Sequence, residues 1–276
     1  MPPARRRRRE RESSDLGARL VVAVPTAILG IVFIDLGGLP WALFLIALGC
    51  LCMYELYRLL DRWRPVAAVG FAALAGLVLA ARYGSQQHVL EVMVAAFPVV
   101  FIAVLGRAHR GGTTVAIAGT LFGFYWIGLA FAHAELLRER PHGGAIMIDV
   151  LLGTFLGDTA AYLGGRLFGR RPLAPHISPG KTVEGLFCGM LIAIVAVVVA
   201  SRFQSTWLTT SHALLLGVVV AVVGPLGDLF ESLVKRDAGA KDAGSVFGAH
   251  GGALDRLDAA LFTVVAGYYV SLAVIQ

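Results

Sequence analysis

Residues 185–203 read G-L-F-C-G-M-L-I-A-I-V-A-V-V-V-A-S-R-F, with no charge before Arg202. An unbroken apolar run of this length is what an α-helix needs to cross the hydrocarbon core of a bilayer. Eight further segments have the same character: 19–35, 40–60, 65–81, 89–105, 113–133, 144–165, 211–231 and 254–275. The composition agrees: 57% of the 276 residues are hydrophobic and 15% charged, against roughly 25% charged in an average soluble domain. So few charges cannot cover the surface of a water-soluble protein of this size. The apolar segments are continuous rather than alternating, which excludes an outer-membrane barrel. The sequence therefore predicts an all-α, polytopic helical membrane protein with about nine transmembrane helices. No small-residue cleavage motif closes the first apolar run, so it reads as a retained span.

The net charge of +6 is unevenly placed, since seven of the 24 basic residues (Arg5 to Arg9, Arg11 and Arg19) precede or open the first span. A basic leader beside a span suits anionic lipid headgroups and topology, not nucleic acid. Residues 1–18 read as a basic, disordered cytoplasmic tail. With nine spans and a cytoplasmic N-terminus, 20 of the 24 Lys and Arg fall on the cytoplasmic side and four (Arg82, Arg138, Arg140, Arg202) on the other. That bias predicts cytoplasmic loops at 166–184 and 232–256. Cys50, Cys52 and Cys188 lie in apolar stretches, form no zinc spacing and read as packing residues. The triplet L-G-D occurs at Leu156–Asp158 and again at Leu226–Asp228, each with an Arg eight residues after the Asp. A chance echo is the simpler reading.

Acidic residues inside spans are costly unless they face protein, water or a cation. Asp149, Asp158, Asp228 and Glu231 fall in or near the ends of spans six and eight. Gly224, Pro225 and Gly227 precede Asp228, and such residues weaken or bend a helix. Asp228, Glu231, Ser232 and Lys235 are spaced i, i+3, i+4, i+7 and share one helix face. A structural ion pair explains any one of these acids as well as a functional site does. The stretch from Lys235 to Arg256, K-R-D-A-G-A-K-D-A-G-S-V-F-G-A-H-G-G-A-L-D-R, is more specific. Lys235, Arg236, Lys241 and Arg256 suit anionic oxygens, and Asp237, Asp242 and Asp255 suit a cation. Gly239, Gly244, Gly248, Gly251 and Gly252 let the backbone approach a ligand. Asp255 and Asp258 open span nine, where free N–H groups favour anions. Basic side chains, glycines and carboxylates together suit a metal-bound polyphosphate. The loop from Gly169 to Gly185, G-R-R-P-L-A-P-H-I-S-P-G-K-T-V-E-G, offers Ser178, Lys181 and Thr182 to phosphate but lacks the glycine spacing of a P-loop.

The run from Ser232 to Asp258 closely resembles the signature of the phosphatidate cytidylyltransferase (CDP-diacylglycerol synthase) family. D-T-A-A-Y-L-G-G-R-L-F-G from Asp158, I-S-P-G-K-T-V-E-G from Ile177 and G-D-L-F-E-S from Gly227 resemble its upstream elements. The match covers the C-terminal part of the chain, with a small departure at Ala249. The resemblance implies an enzyme of the bacterial inner membrane that converts CTP and phosphatidate to CDP-diacylglycerol and pyrophosphate, and a homodimer. It implies Mg2+ held by Asp228 and Asp255, with Mn2+ as a substitute, and K+ as a second cation without assigned ligands. It places Lys235, Arg236, Lys241, Asp242, His250, Arg256 and Asp258 at the reacting groups, with His250 as a hydrogen-bonding positioner. It assigns Asp158, Tyr162, Ser178, Lys181, Thr182, Glu184, Ser232, Gly251 and Gly252 to substrate binding. The chain then divides into N-terminal transmembrane helices, 19–143, and a C-terminal catalytic transmembrane domain, 144–276. Two other readings share parts of this pattern: a CTP- or lipid-dependent kinase such as a polyprenol kinase, and an ion-coupled transporter using Asp158 and Asp228. No inverted repeat supports the transporter.

Overall fold

The computed structural model describes residues 27–107, 111–204, 207–244 and 251–274. Most of it is helical. Helix α1 spans Ala27–Leu36, α2 Gly38–Leu59, α3 Ala67–Tyr83 and α4 Gln86–Leu105. Helix α5 spans Thr113–Arg138, with a π-helical turn at Phe124–Gly128. Helix α6 spans Gly143–Phe168, α7 Val183–Ser201, α8 Thr210–Asp237 and α9 Leu254–Val274. The expectation of about nine spans is met in part. Among the described residues, seven helices are long and apolar enough to cross a membrane, while Ala27–Leu36 and Ala67–Tyr83 are shorter. The basic tail, residues 1–18, lies outside the described residues.

Helix starts follow local chemistry. Ser85, Thr182 and Thr209 each accept a hydrogen bond from a backbone N–H in the first turn of α4, α7 and α8. Two details go beyond the expectation. Helix α8 runs unbroken through Pro225 and ends only at Asp237, because the helices around it supply the packing that a lone proline helix lacks. The 166–184 loop is largely ordered, since α6 extends to Phe168 and a hairpin follows. Strand β1, Pro172–Ala174, pairs antiparallel with β2, Ser178–Thr182, in the register Pro172↔Thr182 and Ala174↔Ser178.

Lipid tails are as apolar as leucine, so helices in a bilayer associate by close packing. Small residues spaced four apart provide it here: Gly157, Ala161 and Gly165 on α6 meet Gly185, Gly189 and Ala193 on α7. A Cβ on Gly189 would lie 2.7 Å from the Ala161 Cβ, and one on Gly157 3.1 Å from the Ala193 Cβ. Gly227 does the same for α8 and α9, where a Cβ would lie 2.7 Å from the Asp258 carbonyl oxygen. In the N-terminal half, Leu45, Met53 and Leu56 of α2 are fully buried, and the Tyr57 hydroxyl donates to the Thr120 carbonyl at 2.9 Å. Phe97, Ile102, Phe187 and Leu191 point outward, as lipid-facing residues do.

Contacts sort the connections onto two opposite faces of the bundle. On one, Arg62 donates to Asp237 and Arg236 donates to the Ile177 carbonyl. On the other, Arg82 pairs with Glu139, Arg138 donates to the Ile34 carbonyl, and Arg140 to that of Ser271.

Candidate active site

The first of these faces carries the charged residues that the sequence singles out. The i, i+3, i+4, i+7 face of α8 forms as expected, because the helix continues past the apolar run. Ser232 donates to Asp228 at 3.5 Å, one turn apart, and Lys235 contacts Glu231 across the next turn. Gly227 lets α8 approach the start of α9 closely, which sets Asp258 within electrostatic reach of Asp228, Glu231 and Asp158. The two aspartates of the L-G-D echo thus face one another electrostatically from α6 and α8.

Two lysines answer this acidity. Lys181, at the end of β2, lies 2.5 Å from Asp228, which the hairpin makes possible by folding back over the helix ends. Lys235 is mostly buried and bridges Glu231 and Asp255, the latter at 2.7 Å. Asp255 also accepts the Ala243 N–H at 3.0 Å and the Gly252 N–H at 2.7 Å. Gly251 has φ +84° and so turns the chain into α9 in the left-handed region that favours glycine. The Gly-rich segment is therefore tied down at both ends by one carboxylate.

Several expected ligands are engaged elsewhere. Arg236 donates to the carbonyls of Ile177 and Ala240, tying the hairpin to the end of α8. Asp237 pairs with Arg62 at 3.0 Å, not with the acidic cluster. Thr182 caps α7, accepting the Gly185 N–H at 3.1 Å. Glu184 accepts the N–H groups of Arg170 and Arg171 at 2.9 and 3.2 Å. Asp149 sits toward the other end of α6 and accepts from Gln204, apart from the cluster. Lys241, Asp242, Arg256 and Tyr162 are exposed, while Ser178 is half-buried at the start of β2. His250 and Gly248 lie outside the described residues.

One residue of the site escaped the sequence reading. Glu55, on α2, is 2% exposed and accepts the Leu254 N–H at 2.9 Å, a free helix-end donor of α9. Gly244 and Gly252 press against its carboxylate so closely that neither has room for a Cβ. A buried glutamate in an otherwise apolar span was the signal available.

The arrangement has an excess of negative charge. Five carboxylates (Asp158, Asp228, Glu231, Asp255 and Asp258) gather around two ammonium groups, Lys181 and Lys235. Among the described residues, no three His, Cys, Asp or Glu side chains converge as metal ligands. Asp228 pairs with Lys181 and Asp255 with Lys235. The donors still fit magnesium, a hard cation bound through one or two carboxylates while substrate phosphates and water complete its shell. A site of this kind can balance the charge of a polyphosphate through lysines and a cation, beside helices that face lipid.

The fold and the site define a multi-pass α-helical membrane protein with a carboxylate–lysine centre at one mouth of its bundle. Residues 17–274 match the sequence model of the cytidylyltransferase family, and the chain belongs to that family. It is 30% identical over 267 residues to a Bacillus subtilis protein named phosphatidate cytidylyltransferase, covering 93% of this chain and 97% of that one. A Staphylococcus epidermidis protein of the same name is 31% identical over 233 residues, covering 83% of this chain and 88% of that one. An uncharacterised Escherichia coli protein, YnbB, is 37% identical over 158 residues, covering 55% of this chain. The chain spans about half of the length of YnbB, 53%.

Proposed function

We propose that this cytidylyltransferase uses phosphatidate as the acceptor, converting CTP and phosphatidate to CDP-diacylglycerol and pyrophosphate. The observation that carries the reading is the lysine–carboxylate centre on α8 and α9, at the bundle mouth beside lipid-facing helices. There a nucleotide can arrive from water and a phospholipid from the bilayer. The names of full-length relatives point to the same acceptor.

A phosphate oxygen of phosphatidate attacks the α-phosphorus of CTP in line, and the bond to the pyrophosphate oxygen breaks. Phosphatidate is already ionised, so no protein nucleophile is needed. Both reactants are anions, and the protein's task is to offset their repulsion. Asp228 and Asp255 would hold Mg2+, which supplies charge neutralisation and orientation to bound phosphates. Lys181 and Lys241 bind phosphate oxygens from the hairpin and the Gly-rich segment. Lys235 holds Asp255 and Glu231 in place from beneath. The N-terminal end of α9, beside Asp255, adds a positive pole.

We further place nine spans in a bacterial inner membrane, with the hairpin and the Gly-rich segment cytoplasmic. The bias of Lys and Arg supports this, as does the sorting of connections onto two faces. Residues 144–276 then carry the reaction, on a platform formed by 19–143.

The test is purified protein in mixed micelles with phosphatidate, Mg2+ and CTP labelled in the cytidine. Label entering the organic phase with equimolar pyrophosphate is the expected result. Release of CDP with phosphorylated lipid would identify a kinase and overturn the proposal.

A further inference from the structure

Away from the carboxylate–lysine centre, a cavity of about 910 Å³ opens where α2 and α4 end and α3 and α5 begin. Its lining includes four arginines, Arg58, Arg62, Arg64 and Arg107, and one acid, Asp61. Arg62 is paired with Asp237, the last residue of α8, so the cavity lies on the same bundle face as the Gly-rich segment. Arg107 donates to the carbonyls of Arg64 and Pro65 at 2.7 and 3.3 Å and so braces the rim. Arg58 and Arg64 are exposed and make no ion pair among the described residues. Most of the rest of the wall is apolar or aromatic, including Trp63, Phe71 and Val104.

A cleft with a surplus of guanidinium groups carries a positive field that attracts an anion. Guanidinium groups suit phosphate geometry, presenting paired donors to its oxygens. The apolar wall below the rim suits the glycerol and first acyl carbons of a lipid, which free phosphate would leave bare. We propose that this cavity is a binding site for the headgroup of an anionic phospholipid, separate from the catalytic centre and independent of the acceptor assigned there.

The emission of Trp63 reports on the cavity and is isolated by difference from Trp63→Phe. Purified protein in neutral detergent is titrated with dioctanoyl-phosphatidylglycerol, dioctanoyl-phosphatidylcholine and inorganic phosphate. Saturable change with phosphatidylglycerol alone is expected. The double variant Arg58→Gln/Arg64→Gln weakens it by about tenfold or more, and Asp61→Asn, which removes the acid of the cavity, tightens it. Lys181→Ala leaves it unchanged, because that residue belongs to the other site. An equal response to phosphatidylcholine, or to inorganic phosphate, overturns the assignment. So does unchanged affinity in the double variant together with unchanged affinity in Asp61→Asn.

Discussion

The ammonium of Lys181, on the β hairpin, sits 2.5 Å from the carboxylate of Asp228, about two-thirds of the way along α8. The two residues are far apart in sequence and belong to elements with opposite roles, one a polar flap and the other a membrane helix. Their contact makes the hairpin part of the site. A phosphate bound there, as proposed, would meet a lysine that is already held in place.

Lys181→Ala removes that charge and leaves Asp228 without its ammonium partner. We expect the CTP requirement to rise at least tenfold or turnover to vanish, consistent with the loss of a charge-assisted contact of about 1.5–3 kcal/mol. Lys241→Ala, in the exposed part of the Gly-rich segment, is expected to act in the same direction. Pyrophosphate release measured against CTP concentration checks both, and normal kinetics in the two variants would leave Lys181 a structural partner of Asp228 and Lys241 a solvated surface charge.

Asp228→Asn and Asp255→Asn are each expected to abolish turnover at ordinary magnesium, whereas Asp35→Asn, on α1, retains it. Chelation with EDTA is expected to stop the wild-type reaction, added Mg2+ to restore it, and Mn2+ to restore it partly. Turnover assays across a metal titration decide this. Magnesium-dependent activity near normal in both Asn variants would leave these carboxylates as ion-pair partners of Lys181 and Lys235.

Glu55 tests the link between the N-terminal helices and the reaction. Glu55→Ala strands the Leu254 N–H inside the protein, at a cost of about 1–3 kcal/mol. It also frees the Gly-rich segment where Gly244 and Gly252 press on the carboxylate. The expected outcome is a lower melting temperature together with a large fall in kcat. Glu55→Gln keeps one acceptor oxygen and recovers part of both. Equal damage by the two substitutions would mean that the charge, not the hydrogen bond, is what the site requires.

Gly189→Leu places a side chain where a Cβ alone would stand 2.7 Å from the Ala161 Cβ and 2.8 Å from the Gly157 carbonyl oxygen. Overpacking of this kind costs about 1–3 kcal/mol. A depressed melting temperature in detergent is expected. Gly180→Ala, at the hairpin, is the control, since nothing lies within 4 Å of its added Cβ.

The apolar segments, and with them the helices, were legible in the sequence because bilayer thickness imposes one length on every crossing and excludes charge from it. The polar face of α8 was legible for a related reason: helical periodicity alone aligns Asp228, Glu231, Ser232 and Lys235, wherever the helix packs. The pairing partners were not. Lys235 bridging Glu231 and Asp255, Arg236 bound to Ile177, and Asp237 held by Arg62 all depend on which helix ends meet, and long-range contact carries no local spacing. Glu55 shows the limit most plainly. Its sequence neighbours are those of an ordinary span, and only the packing of α2 against the start of α9 turns it into the acceptor for a backbone N–H 199 residues away. The sequence by itself determined a membrane-embedded helical chain and the family's charged motifs. The tertiary structure decided which of those charges face one another, because helices pack in a bilayer by shape, and small residues such as Gly157, Gly189 and Gly227 determine which surfaces come close enough to touch.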